Sequence, residues 1–367
     1  MLVDEKPSSG TVRSATIKDV AKLSGTSIAT VSRVFSDNGY PVSDKTRNRI
    51  MEAAKSLHYS PNLIGHMLKT KTNKCLGIII PSFQNPFFIQ LVRGIENEAK
   101  EEGYYTFVFS SQRDIQIERK LIAQLLQLRI SGLLLSSIDP DPSAVDAYLN
   151  SGASAAIFEA DFPIDSRVIN ATSNMDENGY LAALSLLEQG HRRIAFLTTP
   201  LTRHNRVMVY KGFRQAMEAY GVTIAPEDVY ESTFERELDD GLFEFEAGKE
   251  LAGQLLRSQR FYTGVVGVND LVACGIIHEL VKNGVSVPQR LSVVGIDDIP
   301  QCMMINPTLT TVNQGSYQHG FDTCKMLIQR LETDEAVPNQ RSYRKPEMVT
   351  RNSVLQLPPD GFQRFPG

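Results

Sequence analysis

The stretch from Thr16 to Phe35, TIKDVAKLSGTSIATVSRVF, allows fewer structures than any other part of the chain. Thr16 stands three residues before Asp19, so its hydroxyl and the Asp19 carboxylate can satisfy the first free N–H groups of a helix. Val20, Ala21 and Leu23 give that helix an apolar side. Ser24-Gly25-Thr26 then breaks the period, and Gly25 is free to take a left-handed turn. Ser27 can cap a second helix, with Val31, Val34 and Phe35 on one face and Ile28, Ala29, Thr30 and Arg33 on others. Capped helix, glycine-bearing turn and capped helix make the helix-turn-helix pattern, whose second helix enters the DNA major groove N-terminus first. The alternative on these residues alone is a helical hairpin inside some larger core.

Charge separates the two. The 367-residue chain carries 38 Lys+Arg against 42 Asp+Glu, a net of −4. Residues 11–74 hold 11 basic side chains against four acidic ones, or +7, which leaves −11 for the remainder. A basic head on an acidic body is what a DNA-reading module joined to a different domain shows. Ser43 can cap a third helix running to His58, whose Ile50, Ala53, Ala54 and Leu57 face Val20, Val31 and Val34. Those three helices close a small headpiece over residues 16–60. Residues 1–15 are polar and small, expected to be a disordered tail and not a signal peptide. No run approaches the ~18 apolar residues of a membrane helix. Cys75, Cys274, Cys302 and Cys324 lie far apart without metal-ligand spacing, and read as free thiols of a reducing cytoplasm.

From Cys75 onward, short apolar runs alternate with amphipathic segments. Strands are expected at Leu76–Pro81, Tyr105–Phe109, Gly132–Ser136, Ala155–Phe158, Ile194–Thr198, Val265–Val268 and Ser292–Ile296. Helices are expected at Pro86–Glu102, Ile115–Leu128, Pro142–Asn150, Asp176–Glu188, Asn205–Tyr220, Gly241–Arg257 and Asp270–Lys282. Such alternation implies parallel sheets covered on both faces. The length of this region implies an α/β body of two doubly wound lobes. Ligands of such sheets bind beyond the carboxyl ends of the strands, here in the cleft between lobes.

The headpiece residues, with VSDKTRNRIMEAAKSLHYSPN after them, resemble the lactose-repressor/galactose-repressor (LacI/GalR) family of bacterial transcription regulators, and the likeness extends from Thr16 to Ser353. The resemblance implies a homodimer that binds a palindromic operator, represses transcription and responds to a sugar or sugar derivative. It implies a periplasmic-binding-protein-like body over 75–353, with lobe one at 75–174 and 306–335 and lobe two at 175–305 and 336–353. The crossings then fall near Asn174, Asn306 and Ala336, and 354–367 is a tail without heptads. Residues 61–74 resemble the hinge helix and linker, with Leu68 in place of the leucine that wedges into the minor groove and Gly65-His66 in place of the usual Ala-Arg. In the family, the positions of Ile28, Ala29 and Arg33 read base edges, and those of Ser27, Thr30 and Ser32 lie near phosphates. Arg33 can donate two hydrogen bonds to guanine, whereas Ile28 and Ala29 can touch only thymine methyls. Thr16, Asn62, His66 and Leu68 complete the expected DNA-facing set.

For the effector, the resemblance points first to Asn269 and Asp297, with Phe87 or Phe88 as an apolar wall. The loops at the strand ends add Phe83, Asn85, Asp161, Arg203 and Arg206. Many sugar-responsive members carry arginine three residues before Gly212-Phe213. Val209 stands there in this chain, and Arg203 or Arg206 is expected to compensate. No cofactor or metal is expected: there is no phosphate loop, no G-x-G-x-x-G, no nucleophile elbow and no zinc spacing. Asp297 and Asp298 are adjacent and would point to opposite faces of an extended strand, which disfavours an acid/base pair. A solute receptor of a transport system would share the body but not residues 1–74. A dehydrogenase would need glycines where Pro81-Ser82-Phe83-Gln84-Asn85 stands.

Overall fold

Asp19 fixes the start of the first helix. Its Oδ2 accepts the Thr16 backbone N–H at 2.8 Å and the Thr16 hydroxyl at 2.7 Å, and α1 runs over Ile17–Ser24. Gly25 ends it in the left-handed region, at φ 60° and ψ 36°. Ser27 Oγ accepts the Thr30 N–H at 3.1 Å, and α2 follows over Ile28–Ser36. Ser43 accepts the Thr46 N–H at the head of α3, Asp44–Ser56. Val20, Ala21, Val31, Val34, Ile50, Ala53 and Ala54 form the core these helices share, with Leu57 at its margin. Leu23 departs from the expected apolar side. It is 56% exposed, while Ser24 is buried with its hydroxyl 2.8 Å from that of Thr26. The stripe of α1 that faces its neighbours is narrower than its apolar composition suggests.

The structure is a computed structural model that describes residues 15–36, 41–60, 74–160, 162–233, 242–333 and 340–358. The hinge positions Asn62, His66 and Leu68, and Asp161, lie outside the described residues. The chain forms two compact units, Met1–Asn73 and Lys74–Gly367.

In the second unit, lobe one begins with β1 (Cys75–Ile80), α4 (Pro86–Glu101), β2 (Tyr105–Ser110), α5 (Ile115–Gln127), β3 (Gly132–Ser136), α6 (Ser143–Asn150), β4 (Ser154–Phe158) and β5 (Ile169–Ser173). Lobe two follows with α7 (Met175–Glu188), β6 (Ile194–Thr198), α8 (His204–Ala219), β7 (Val229–Glu231), α9 (Phe243–Arg257), β8 (Gly264–Gly267), α10 (Asp270–Lys282), β9 (Ser292–Ile296) and β10 (Thr310–Asn313). The chain then returns through α11 (Ser316–Thr333) and β11 (Arg341–Arg344) before ending in β12 (Glu347–Val349). One sheet has the order β11-β5-β4-β3-β1-β2 and the other β12-β10-β9-β8-β6-β7. Pairing is parallel throughout except for β12 on β10. Strands β1, β3, β6, β8 and β9 are buried along their whole length, as sheets with helices on both faces require.

Two of the expected crossings move. Strand β10 pairs with β9, so residues 310–313 belong to lobe two, and the chain crosses after Asn313 rather than at Asn306. Strand β11 pairs with β5 in lobe one, so the last crossing falls between Arg344 and Glu347 rather than near Ala336, which itself lies outside the described residues. In each case a four-residue strand joins its sheet before the chain leaves the lobe. The first crossing follows Ser173, where β5 gives way to α7. Helices α7 and α8 pack where neither partner has a side chain at the crossing. A Cβ on Gly179 would collide with the Val209 carbonyl, and one on Gly212 with that of Asp176. This close approach holds the first turns of α8, with Arg206 and Val209, against the start of α7.

Candidate functional site

In the headpiece, the face of α2 away from the core carries Ile28, Ala29 and Arg33, all exposed, with Thr30 and Ser32 half-buried beside them. Ser27 and Thr30 share a 2.8 Å hydrogen bond between hydroxyls at the helix start. Thr16 is exposed at the start of α1. An exposed helix N-terminus with hydroxyls, small apolar groups and one arginine is chemically suited to the major groove.

In the body, the carboxyl ends of both sheets face one cavity of about 120 Å³. That is small beside the ~300–1,000 Å³ of ordinary ligand pockets, because side chains from the two lobes meet across it. Asn85 caps α4, accepting the Phe87 N–H on Oδ1 at 2.9 Å. Asn269 caps α10, accepting the Val272 N–H on Oδ1 at 2.9 Å. With each oxygen committed to a helix, the two amide groups point inward, and both find Glu244. Asn85 Nδ2 donates to Glu244 Oε1 at 3.1 Å and Asn269 Nδ2 donates to it at 2.9 Å. Arg113, from the loop after β2, donates its Nη2 to that oxygen at 2.9 Å, and its guanidinium lies over the Phe243 ring at 5.2 Å. Arg113 and Glu244 are buried side chains, 6% and 8% exposed, so this is a bridge between lobes drawn out of bulk water.

Opposite this bridge stands Asp297, whose Oδ1 accepts from Gln314 Nε2 at 2.6 Å. Gln314 Oε1 in turn accepts from Asn178 Nδ2 at 2.9 Å. Enclosure in the cleft pushes the Asp297 carboxyl well above the ordinary carboxylate range, with the charges of Asp270 and Glu244 adding to the effect and the Gln314 bond opposing it. Asp270, fully buried, is raised to about 6 by burial, although it accepts from the Cys302 thiol, the Thr311 hydroxyl and the Ile299 N–H. Asp298 points elsewhere, toward Arg351 and Asn313. Arg113, Glu159 and Asp297 adopt φ of 57°, 50° and 130°. Non-glycine residues in such regions cost about 1–3 kcal/mol each and are retained where a site demands them.

Of the positions singled out in the sequence, Asn85, Phe87, Phe88, Arg203, Arg206, Asn269 and Asp297 line the cavity. Phe87 and Phe88 meet edge to face at 5.2 Å. Val209 also lines it, and Arg206, one turn before it on α8, reaches the wall with Nη1 donating to the Pro200 carbonyl at 2.9 Å. Phe83 is not on the wall. Ser82 Oγ accepts the Gln84 N–H at 2.9 Å, a tight turn that leaves Phe83 at its tip, 49% exposed. Sequence reasoning gave no role to Arg113, Glu244, Gln314 or Met175. No motif marks Glu244; its only signal was an acidic residue in the first turn of a helix.

Residues 16–62 match the family described as bacterial regulatory proteins, lacI family, and residues 183–354 match a periplasmic binding protein-like domain. The transcriptional repressor PurR of Haemophilus influenzae (strain PittEE) is 31% identical over 345 residues, covering 94% of this chain and 99% of that protein. The chain belongs to the LacI family. It is a DNA-binding transcription regulator with a ligand-binding body, and the family relationship gives the exposed face of α2 and the interlobe cavity their meaning. Among solved structures, the Lac repressor dimer bound to operator and the anti-inducer ONPF has a TM-score of 0.77 at 24% identity, covering 94% of this chain and 100% of that one. The regulator CelR in complex with cellobiose has a TM-score of 0.67 at 24% identity, covering 92% and 99%. Both share the fold of this LacI-family chain. Among the described residues no helix is long and apolar enough to cross a membrane, and no group of three His, Cys, Asp or Glu side chains is placed to hold a metal ion.

Proposed function

We propose that this regulator is a cytoplasmic homodimeric repressor that binds a palindromic operator, and that a sugar or sugar derivative in the interlobe cavity sets its operator affinity. The chain acts by binding and not by turnover. Arg33 reads a guanine through paired hydrogen bonds, Ile28 and Ala29 exclude or contact base methyls, and Thr16, Ser27, Thr30 and Ser32 hold phosphates. In the hinge segment Asn62 and His66 lie against the duplex and Leu68 enters the minor groove.

The observation that carries the effector half is the lining of the cavity. Phe87 and Phe88 offer an apolar wall, while Asn269, Asp297, Arg203 and Arg206 offer donors and acceptors around it. A polyhydroxylated ring needs that combination, planar apolar surface below and directional polar groups at the rim. The cellobiose complex of a structural neighbour is in keeping with it. Asp161, two residues after the cavity-lining Glu159 in the sequence, adds an acceptor. Because the cavity is walled by both lobes, ligand there favours one relative orientation of the lobes over another. Operator affinity shifts only by the difference in ligand affinity between those orientations.

Operator selection from random duplexes, followed by a salt series on the selected site, tests the DNA half. The expected result is a twofold-symmetric site whose affinity falls steeply with salt, as several phosphate contacts per subunit require. A salt-independent affinity, or selected sites without symmetry, would contradict it.

A further inference from the structure

Glu244 Oε1 accepts three hydrogen bonds, from Asn85, Arg113 and Asn269. Two of these donors belong to lobe one and the third to lobe two. Glu244 itself enters from the first turn of α9, a place a helix dipole favours for negative charge. Its other oxygen, Oε2, accepts from no side chain or backbone group among the described residues, and Glu244 lines the cavity.

Three converging donors, one of them a buried guanidinium, form a corner that would hold a carboxylate or phosphate oxygen from solution. Here the chain's own carboxylate fills it. Both asparagine amides are oriented by their helix caps, so the corner keeps its geometry whichever anion sits there. Removing Glu244 would take away a carboxylate that neutralises a buried guanidinium and is held by all three donors, which favours another anion in its place.

We propose that Glu244 is a built-in occupant of this anion corner and a specificity-determining residue of the effector site. It excludes effectors that carry an acidic group at that end and leaves Oε2 to accept from a hydroxyl or amino group. The proposal rests on the reading of the cavity as the effector site and narrows the effector to a molecule that presents donors, neutral or cationic, toward Glu244. Asp297 faces the same cavity, and a second acidic wall is a poor host for a second negative charge.

The probe is inorganic phosphate, titrated at constant ionic strength into the full-length chain with the melting temperature of the body as readout. Wild type and Glu244→Ala are compared, with the Arg113→Ala/Glu244→Ala double variant as control for phosphate held by the basic headpiece. The expected result is a saturable rise in melting temperature for Glu244→Ala. Its apparent phosphate affinity should be at least tenfold above that of wild type and should be lost again in the double variant. Equal responses of wild type and Glu244→Ala, or a gain that survives loss of Arg113, would overturn the proposal. If circular dichroism shows Glu244→Ala unfolded, Glu244→Ser, which also empties the corner, is held to the same comparison. A sugar titration of wild type is read separately. A sugar response without the phosphate gain would retain the effector site and discard the role of Glu244.

Discussion

Asn85 and Asn269 start helices in opposite lobes, and each divides its amide in the same way: Oδ1 to its own helix and Nδ2 to Glu244 Oε1, at 3.1 Å and 2.9 Å. Helix capping and attachment to Glu244 are therefore coupled in single side chains, and the Asn85 bond runs from one lobe to the other. The pair meets over a carboxylate that neither lobe's local sequence announces.

The two duties can be separated by substitution. Asn85→Asp keeps a good cap, since aspartate and asparagine serve equally at that position, but sets a carboxylate against Glu244. We expect Asn85→Asp to destabilise the body by about 1–3 kcal/mol, the range for a lost buried hydrogen bond to a charged group. A matching loss at Asn269→Asp should follow. Urea denaturation of the two variants measures this, and wild-type midpoints in both would show that the bridge contributes nothing.

Arg33 lies on the exposed side of α2. Arg33→Ala should cost about 1–3 kcal/mol at the preferred operator and relax base preference at one position in each half-site. Competition binding with operators mutated one base pair at a time gives the readout. A uniform loss across all sequences would mean that Arg33 meets only phosphate.

Acid should loosen the second lobe through His191. Burial lowers this imidazole from its ordinary 6.5 to about 4, the hydrogen bond to Leu355 opposing. Its Nε2 donates to the Leu355 carbonyl at 3.0 Å, which leaves Nδ1 to accept the Thr263 hydroxyl at 2.9 Å. The unfolded chain binds a proton between about pH 6.5 and 4 that the folded chain refuses. The stabilisation is therefore full above 6.5 and is lost as pH falls toward 4, on the order of 3 kcal/mol in all. His191→Gln should flatten the pH dependence of urea stability in that window. An unchanged slope would remove His191 from the account.

The parts of this molecule legible in its sequence are those specified by neighbours a few residues apart. Caps at Thr16, Ser27 and Ser43 and the turn at Gly25 sufficed for the headpiece, since each acts over three or four residues. Leu23 failed because a period of 3.6 ranks positions by face but not by how wide the covered stripe is. Strands β1 to β4, β6, β8 and β9 were readable as apolar runs. Strands β10, β11 and β12, with the sequences TTVN, RSYR and EMV, were not, because three or four mixed residues become strands only through partners far along the chain. Helix α11 also escaped, its buried side being interleaved with Ser316, His319 and Thr323. The same limit hid Glu244. Its partners stand 159, 131 and 25 residues away, so its role exists only once the lobes are built.

The central claim is that the interlobe cavity governs the grip of the headpiece on DNA. Fluorescence anisotropy of a labelled operator, measured with wild type and with Asp297→Ala across a panel of neutral and amino sugars, tests it most directly. At least one sugar should change operator affinity of wild type several-fold, and Asp297→Ala should bind the operator normally while losing that response. A panel in which no sugar alters wild-type affinity, or in which Asp297→Ala responds as wild type does, would contradict the claim.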